Sequence, residues 1–85
     1  MTGIATGRAI DPALSETAQR TLQEYLDTLG NHEPSHVYRL MMDEVERPML
    51  EVMMRYTHHN QSKAAQLMGI NRATLRHKLK RHKLL

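Results

Sequence analysis

The sequence has no cysteine, no phenylalanine and no tryptophan, and its last 34 residues, Val52 to Leu85, contain no acid. Without thiols there is no disulfide and no thiolate metal centre, which fits a reducing compartment. Without Phe and Trp the apolar mass falls to Leu, Ile, Val, Ala, three Tyr and seven Met, a set better suited to packed helices than to a sheet. No apolar run nears the ~18 residues of a membrane span, and the opening MTGIATGRAIDPAL has no apolar signal core. The expectation is a cytoplasmic protein with no membrane partner. Eighty-five residues make one domain at most, near the lower limit of independent stability. With disulfides excluded, self-association is the remaining cheap source of buried surface.

What is present is cation. The acid-free segment carries eight of the twelve Lys and Arg: Arg55, Lys63, Arg72, Arg76, Lys78, Lys80, Arg81 and Lys83. All nine acids lie in residues 1–51, with only Arg8, Arg20, Arg39 and Arg47 against them. Cations clustered in this way bind phosphate by releasing its counterions, with affinity that falls steeply as salt rises.

Residues 1–10, with Gly3 and Gly7, have no sustained period and are expected to form a flexible arm. Asp11-Pro12 is a helix entry, Asp11 able to cap amides and Pro12 already holding a helical φ. Leu14, Ala18, Leu22, Tyr25, Leu26 and Leu29 follow as one apolar stripe, and Gly30-Asn31 stops the helix. After a short loop, Ser35 is the expected cap of a long helix from His36 to about Thr57. Val37, Leu40, Met41, Val45, Met49, Val52, Met53 and Tyr56 form its stripe, and Met42, Leu50 and Met54 form a second apolar face. Two apolar faces need two partners, the first helix and the same helix of a second chain about a two-fold axis. Asp43 with Arg47 and Glu51 with Arg55 are spaced as i,i+4 pairs. Pro48 removes one hydrogen bond, yet the apolar phase runs unchanged through it, which predicts a kink and not a break. A helix of about two turns from Asn60-Gln61 to Met68, a turn at Gly69, and a last helix capped by Asn71 and running to about His82 complete an all-α fold of four helices. The domains expected are the arm, a helical dimerisation core over 11–57, and a binding unit over 58–85.

The segment Gln61 to Lys80 has the spacing of a helix-turn-helix. Ala65 is small where two helices cross, Gly69 frees the turn, and Leu67, Ile70, Leu75 and Leu79 form the wedge between them. In this motif the second helix enters the major groove and the first crosses the backbone. Arg72 and Arg76, four apart in the first turns of the last helix, are the candidates for base contact, guanine being the usual target of a bidentate guanidinium. Asn71 and Thr74 are neutral donors beside them, and Lys78, Lys80, Arg81 and Lys83, with Asn60, Ser62 and Lys63, are placed to serve phosphate. A Lys/Arg run alone is as well explained by a solvated face; the Ala-x-x-x-Gly spacing and the missing acids favour nucleic acid.

Val45-Glu-Arg-Pro-Met-Leu-Glu-Val-Met-Met-Arg-Tyr-Thr, Asn60-Gln-Ser-Lys-Ala-Ala and Met68-Gly-Ile-Asn-Arg-Ala-Thr-Leu-Arg-His-Lys-Leu-Lys closely resemble the Fis family, the bacterial factor for inversion stimulation. The resemblance covers about residues 14–82. It implies an intertwined four-helix homodimer whose second helices, kinked at a proline in the position of Pro48, cross at the core. It also implies a nucleoid-associated regulator that binds and bends double-stranded DNA at degenerate sites. Carried over by position, DNA contacts fall on Asn60, Ser62, Lys63, Asn71, Arg72, Thr74, Arg76, Lys78, Lys80 and Arg81. RNA polymerase is implied as a further partner, near the Gly69 turn, and no cofactor or metal is implied. By resemblance the paired recognition helices stand closer than one turn of straight B-DNA, so the duplex must bend, with A/T-rich centres favoured. The sequence departs from the family in two places. Only thirteen residues precede Leu14, where a recombinase-contacting hairpin would lie, so recombinase stimulation is not expected. His77 and His82 replace basic or aromatic residues, which leads to an expectation of tighter DNA binding at pH near 6 than near 7.5.

Three rivals have sequence support. The same terminal motif ends NtrC-type enhancer-binding activators, whose ATPase domain has no counterpart here, and the initiating Met1 favours an entire protein over an excised fragment. His32-Glu33-Pro34-Ser35-His36 spells the zinc-protease pattern H-E-x-x-H, but Pro34 and Gly30-Asn31 favour a loop where that chemistry needs a helix. Its reading as an enzyme is rejected on that ground, and His58-His59 reads as a polar helix terminus. A helical protein-interaction module would use the Met-rich faces, although Met41, Met49 and Met53 at helical spacing read as core.

Overall fold

The structure is a computed structural model that describes residues 10–85. The arm expected over residues 1–10 lies, but for Ile10, outside the described residues. Among those described there are four helices and no strand: α1 (Ala13–Leu29), α2 (Val37–Tyr56), α3 (Gln61–Met68) and α4 (Arg72–Arg81). The all-α expectation holds. Contacts group the chain into one unit up to Met41 and a second over Met42–Leu85.

In the first unit, Asp11 Oδ1 accepts the Ala13 amide at 2.9 Å, and Pro12 (φ −57°) leads the chain into α1. Gly30 ends the helix at φ 61°. Its stripe has the expected period, yet α1 buries none of its residues. Helix α2 begins at Val37, one residue later than expected. His36 is left-handed (φ 56°) and its carbonyl receives the first helical bond, from Leu40 at 3.0 Å. That turn carries the Ser35 hydroxyl away from the helix amides and onto His36 Nδ1 at 2.7 Å, so Ser35 is not the cap. The helix then runs through Pro48 without interruption.

The second unit holds the core: Leu50 and Met54 of α2, Ala64 and Ala65 of α3, Leu75 and Leu79 of α4, flanked by Met68, Ile70 and Leu84. Burying a leucine fully stabilises by about 1.5–3 kcal/mol, and Leu50, Leu75 and Leu79 are the largest side chains so buried. Ala64 and Ala65 let α3 and α4 approach. Leu67 is not part of the wedge: it is 48% exposed. Two positions beyond Ala65 is a rotation of about 200° on an α-helix, which points Leu67 outward.

Three helix ends close with the same pair of bonds. After α3, Ile70 donates to Ala65 and Gly69 to Gln66; after α2, His59 donates to Met54 and His58 to Arg55; after α4, Leu84 donates to Leu79 and Lys83 to Lys80. This closure needs a left-handed residue. Gly69 takes it without a Cβ clash, whereas His58 (φ 53°), His59 (φ 65°) and Lys83 (φ 60°) take it with side chains.

Candidate nucleic-acid interface

Gly69 (φ 73°, ψ 30°) turns the chain between α3 and α4, and Asn71 starts α4 with its Oδ1 accepting the Ala73 amide at 2.7 Å. Asn60 does the same for α3, accepting the Lys63 amide at 3.0 Å. Each asparagine thus spends its oxygen on a cap, and its amide nitrogen is the part left to donate outward. Ser62 and Lys63 are exposed in the first turn of α3.

Arg72, Ala73 and Arg76 border one open recess of α4. Arg76 Nη1 also donates to Gln61 Oε1 at 3.2 Å, a brace between the starts of the two helices that sequence reading missed. Thr74, His77, Lys78, Lys80 and Arg81 border a second recess, of about 610 Å³. The structure therefore gathers the candidate residues into three groups: Asn60, Ser62 and Lys63; Asn71, Arg72 and Arg76; and Thr74, Lys78, Lys80 and Arg81.

The third group is not uniformly free. Lys78 Nζ lies 2.6 Å from Glu46 Oε2, and Arg81 Nη2 lies 2.9 Å from Glu46 Oε1. Arg81 Nη1 meets Asp43 Oδ1 at 2.7 Å, a charge contact off the line of a good hydrogen bond. His82 Nε2 completes the cluster, 2.8 Å from Glu46 Oε1. Burial works to raise the Glu46 carboxyl, but hydrogen bonds from Lys78, His82 and Arg81, with the Lys78 charge, outweigh it and hold the group at about 2. Among the described residues Arg72, Arg76, Lys63 and Lys80 carry no ion pair.

Three expectations are corrected here. His82 is buried against Glu46, so its ring does not face a phosphate, whereas His77 is exposed. Asp43 pairs with Arg81, not with Arg47. Arg47 approaches Glu51 at 3.7 Å and donates to the His82 carbonyl, so Glu51 faces Arg47 and not Arg55. The end of α4 lies over α2, where it brings the Arg81 donor to Asp43 and the His82 carbonyl to Arg47. Glu46 carried a sequence signal: four and eight residues before Leu50 and Met54, it sits in phase with the buried row.

The H-E-x-x-H residues 32–36 lie outside any helix, so His32 and His36 lack the one-face geometry a zinc protease needs. Among the described residues Asp43, Glu46 and His82 bring ligand atoms within 4.8 Å of one another, but Lys78 and Arg81 already take these oxygens. Among the described residues no helix is long and apolar enough to cross a membrane.

Two short helices crossing on paired alanines, a glycine turn and a cationic second helix define a helix-turn-helix protein. A family profile described as "Bacterial regulatory protein, Fis family" matches residues 41–82. The chain is 40% identical over 78 residues to "DNA-binding protein Fis" of Mannheimia haemolytica, covering 92% of this chain and 80% of that one. It is 49% identical over 69 residues to the protein of that name from Aeromonas hydrophila, covering 81% and 70%. With that from Tolumonas auensis it shares 40% over 82 residues, covering 96% and 83%. The chain belongs to the Fis family.

Proposed function

We propose that the protein is a sequence-tolerant DNA-binding and DNA-bending regulator of the Fis type that acts as a homodimer on adjacent major grooves. The observation that carries this reading is the pair Arg72 and Arg76, exposed on the first turns of α4, bordering one recess within a segment free of acids. Base or groove contact is assigned to them, with Asn71 and Thr74 beside them. Phosphate contact is assigned to Asn60, Ser62, Lys63, Lys78, Lys80 and Arg81. The relatives' printed names, "DNA-binding protein Fis", support DNA as the ligand; that it is double-stranded, in the bacterial nucleoid, is part of this proposal. The role is one of binding without catalysis.

Dimerisation is assigned to residues 11–57. Met49, Val52 and Tyr56 on α2 are exposed in the single chain, an apolar face that a second copy would cover. Two α4 helices fixed by such a core would engage DNA together only by bending it. RNA polymerase is a further partner on the outer surface near Gly69.

Titrating a duplex with an A/T-rich centre tests the reading. Affinity should fall log-linearly with salt, and circularly permuted fragments should show a bend. Arg76→Ala should remove binding while helicity and mass in solution stay unchanged. Straight DNA in the complex would end the bending mechanism, and salt-insensitive or absent duplex binding would end the whole reading.

A further inference from the structure

The acids of α2 divide the cations of α4 into those held and those offered. Glu46 is largely covered, with its side chain 11% exposed, and it receives Lys78, Arg81 and His82 together. It is an anchor. Asp43 differs: its side chain is 37% exposed, its one ion-pair partner among the described residues is Arg81, itself 39% exposed, and Arg81 borders the recess of Thr74, His77, Lys78 and Lys80. A guanidinium presents separate donors on a rigid plane. Arg81 can therefore keep Nη2 on Glu46 while Nη1 is contested.

We infer that Asp43 belongs to the nucleic-acid interface as a competitor: it holds Arg81 Nη1 against the protein, so a phosphate at this recess gains the Arg81 charge only by displacing the carboxylate. The inference rests on the DNA-binding reading above. A half-exposed pair is weak enough for phosphate to compete with. The competition therefore sets affinity without blocking it. Wild-type binding should show a shallower salt dependence than the number of cations on α4 suggests, because Arg81 arrives already neutralised.

The test is duplex affinity of the full chain over a salt series, by fluorescence anisotropy, for wild type, Asp43→Asn, Arg81→Ala, the double variant, and Glu44→Gln as a charge-matched change on the same helix. Asp43→Asn should tighten binding by about 2–5-fold at low salt. It should also steepen the log–log salt slope by about 0.9. Glu44→Gln should not steepen it, and the gain should vanish when Arg81 is alanine. If Asp43→Asn loses helicity, Asp43→Ser replaces it in the same comparison. An Asp43 variant no tighter than Glu44→Gln, or a gain that survives Arg81→Ala, overturns this inference alone. Wild-type protein without salt-dependent duplex binding overturns the DNA-binding reading and this inference with it.

Discussion

His82 Nε2 stands 2.8 Å from Glu46 Oε1, joining the end of α4 to the middle of α2 across 36 positions of sequence. The carboxylate there also serves Lys78 and Arg81, so one acid sets where the recognition helix lies. Its carboxyl is held at about 2, below the ordinary 4.5. A group whose pKa is depressed by folding stabilises the fold above its unfolded pKa, and that contribution is lost as pH falls from about 4.5 to about 2. In so small a unit only a thin layer of protein covers the side chain, so solvent screening reduces the gain to roughly 1–2 kcal/mol. Thermal unfolding at pH steps below neutrality should show the loss, and Glu46→Gln should be less stable than wild type at neutral pH and converge on it near the acid end. Parallel pH profiles for the two proteins would refute the assignment.

The left-handed closures supply a second prediction. A side chain in this region costs about 1–2 kcal/mol that glycine does not incur, part of which glycine returns through the entropy of the unfolded chain. His58→Gly and Lys83→Gly should each raise stability by about 0.5–1 kcal/mol, read as a higher urea midpoint at unchanged slope. Gly69→Ala should move the midpoint the other way, since its φ of 73° is the same strained region entered from the permissive residue.

Most of the fold could be read directly. Helical periods and the caps Asp11, Asn60 and Asn71 gave four helices with bounds within a residue or two, and Gly69 marked the turn. The failures include a long-range partner that overrode a local pairing and a helical phase that was passed over. Local spacing paired Asp43 with Arg47, but α4 brings Arg81 to Asp43. Position in the family motif gave His82 a part in pH-dependent DNA binding, but its phase, seven positions after Leu75 and three after Leu79, is that of the buried row. Leu67 was assigned to the wedge by hydrophobicity alone, against its phase relative to Ala65. The candidates on α3 and the start of α4 stand out in the sequence because Lys63, Arg72 and Arg76 are cations in an acid-free segment, and among the described residues all three are exposed and carry no ion pair.

Core and surface leucines make the packing claim testable. Leu75 is fully buried and touches the cluster that α2, α3 and α4 share, so Leu75→Ala should cost about 2–5 kcal/mol. Leu67→Ala, on the outer face of α3, should change stability by less than about 0.5 kcal/mol. Denaturant midpoints of the two variants measure the contrast, and equal costs would return Leu67 to the wedge.

Oligomeric state decides whether the apolar face of α2 is an interface. Val52 is 52% exposed and Met49 43%, on a helix whose other face packs Leu50 and Met54 into the core. Water-exposed valine and methionine at helical spacing gain about 25 cal/mol per Å² when a second copy covers them. The association should link folding to protein concentration. Sedimentation should therefore give a mass of two chains, with a melting temperature that rises with concentration. Val52→Glu would bury a charge at the two-fold contact and should yield single chains, less helical and no longer concentration-dependent. Wild-type protein that sediments as a stable single copy, melting at one temperature at all concentrations, would leave the two recognition helices unpaired and remove the physical reason for DNA to bend.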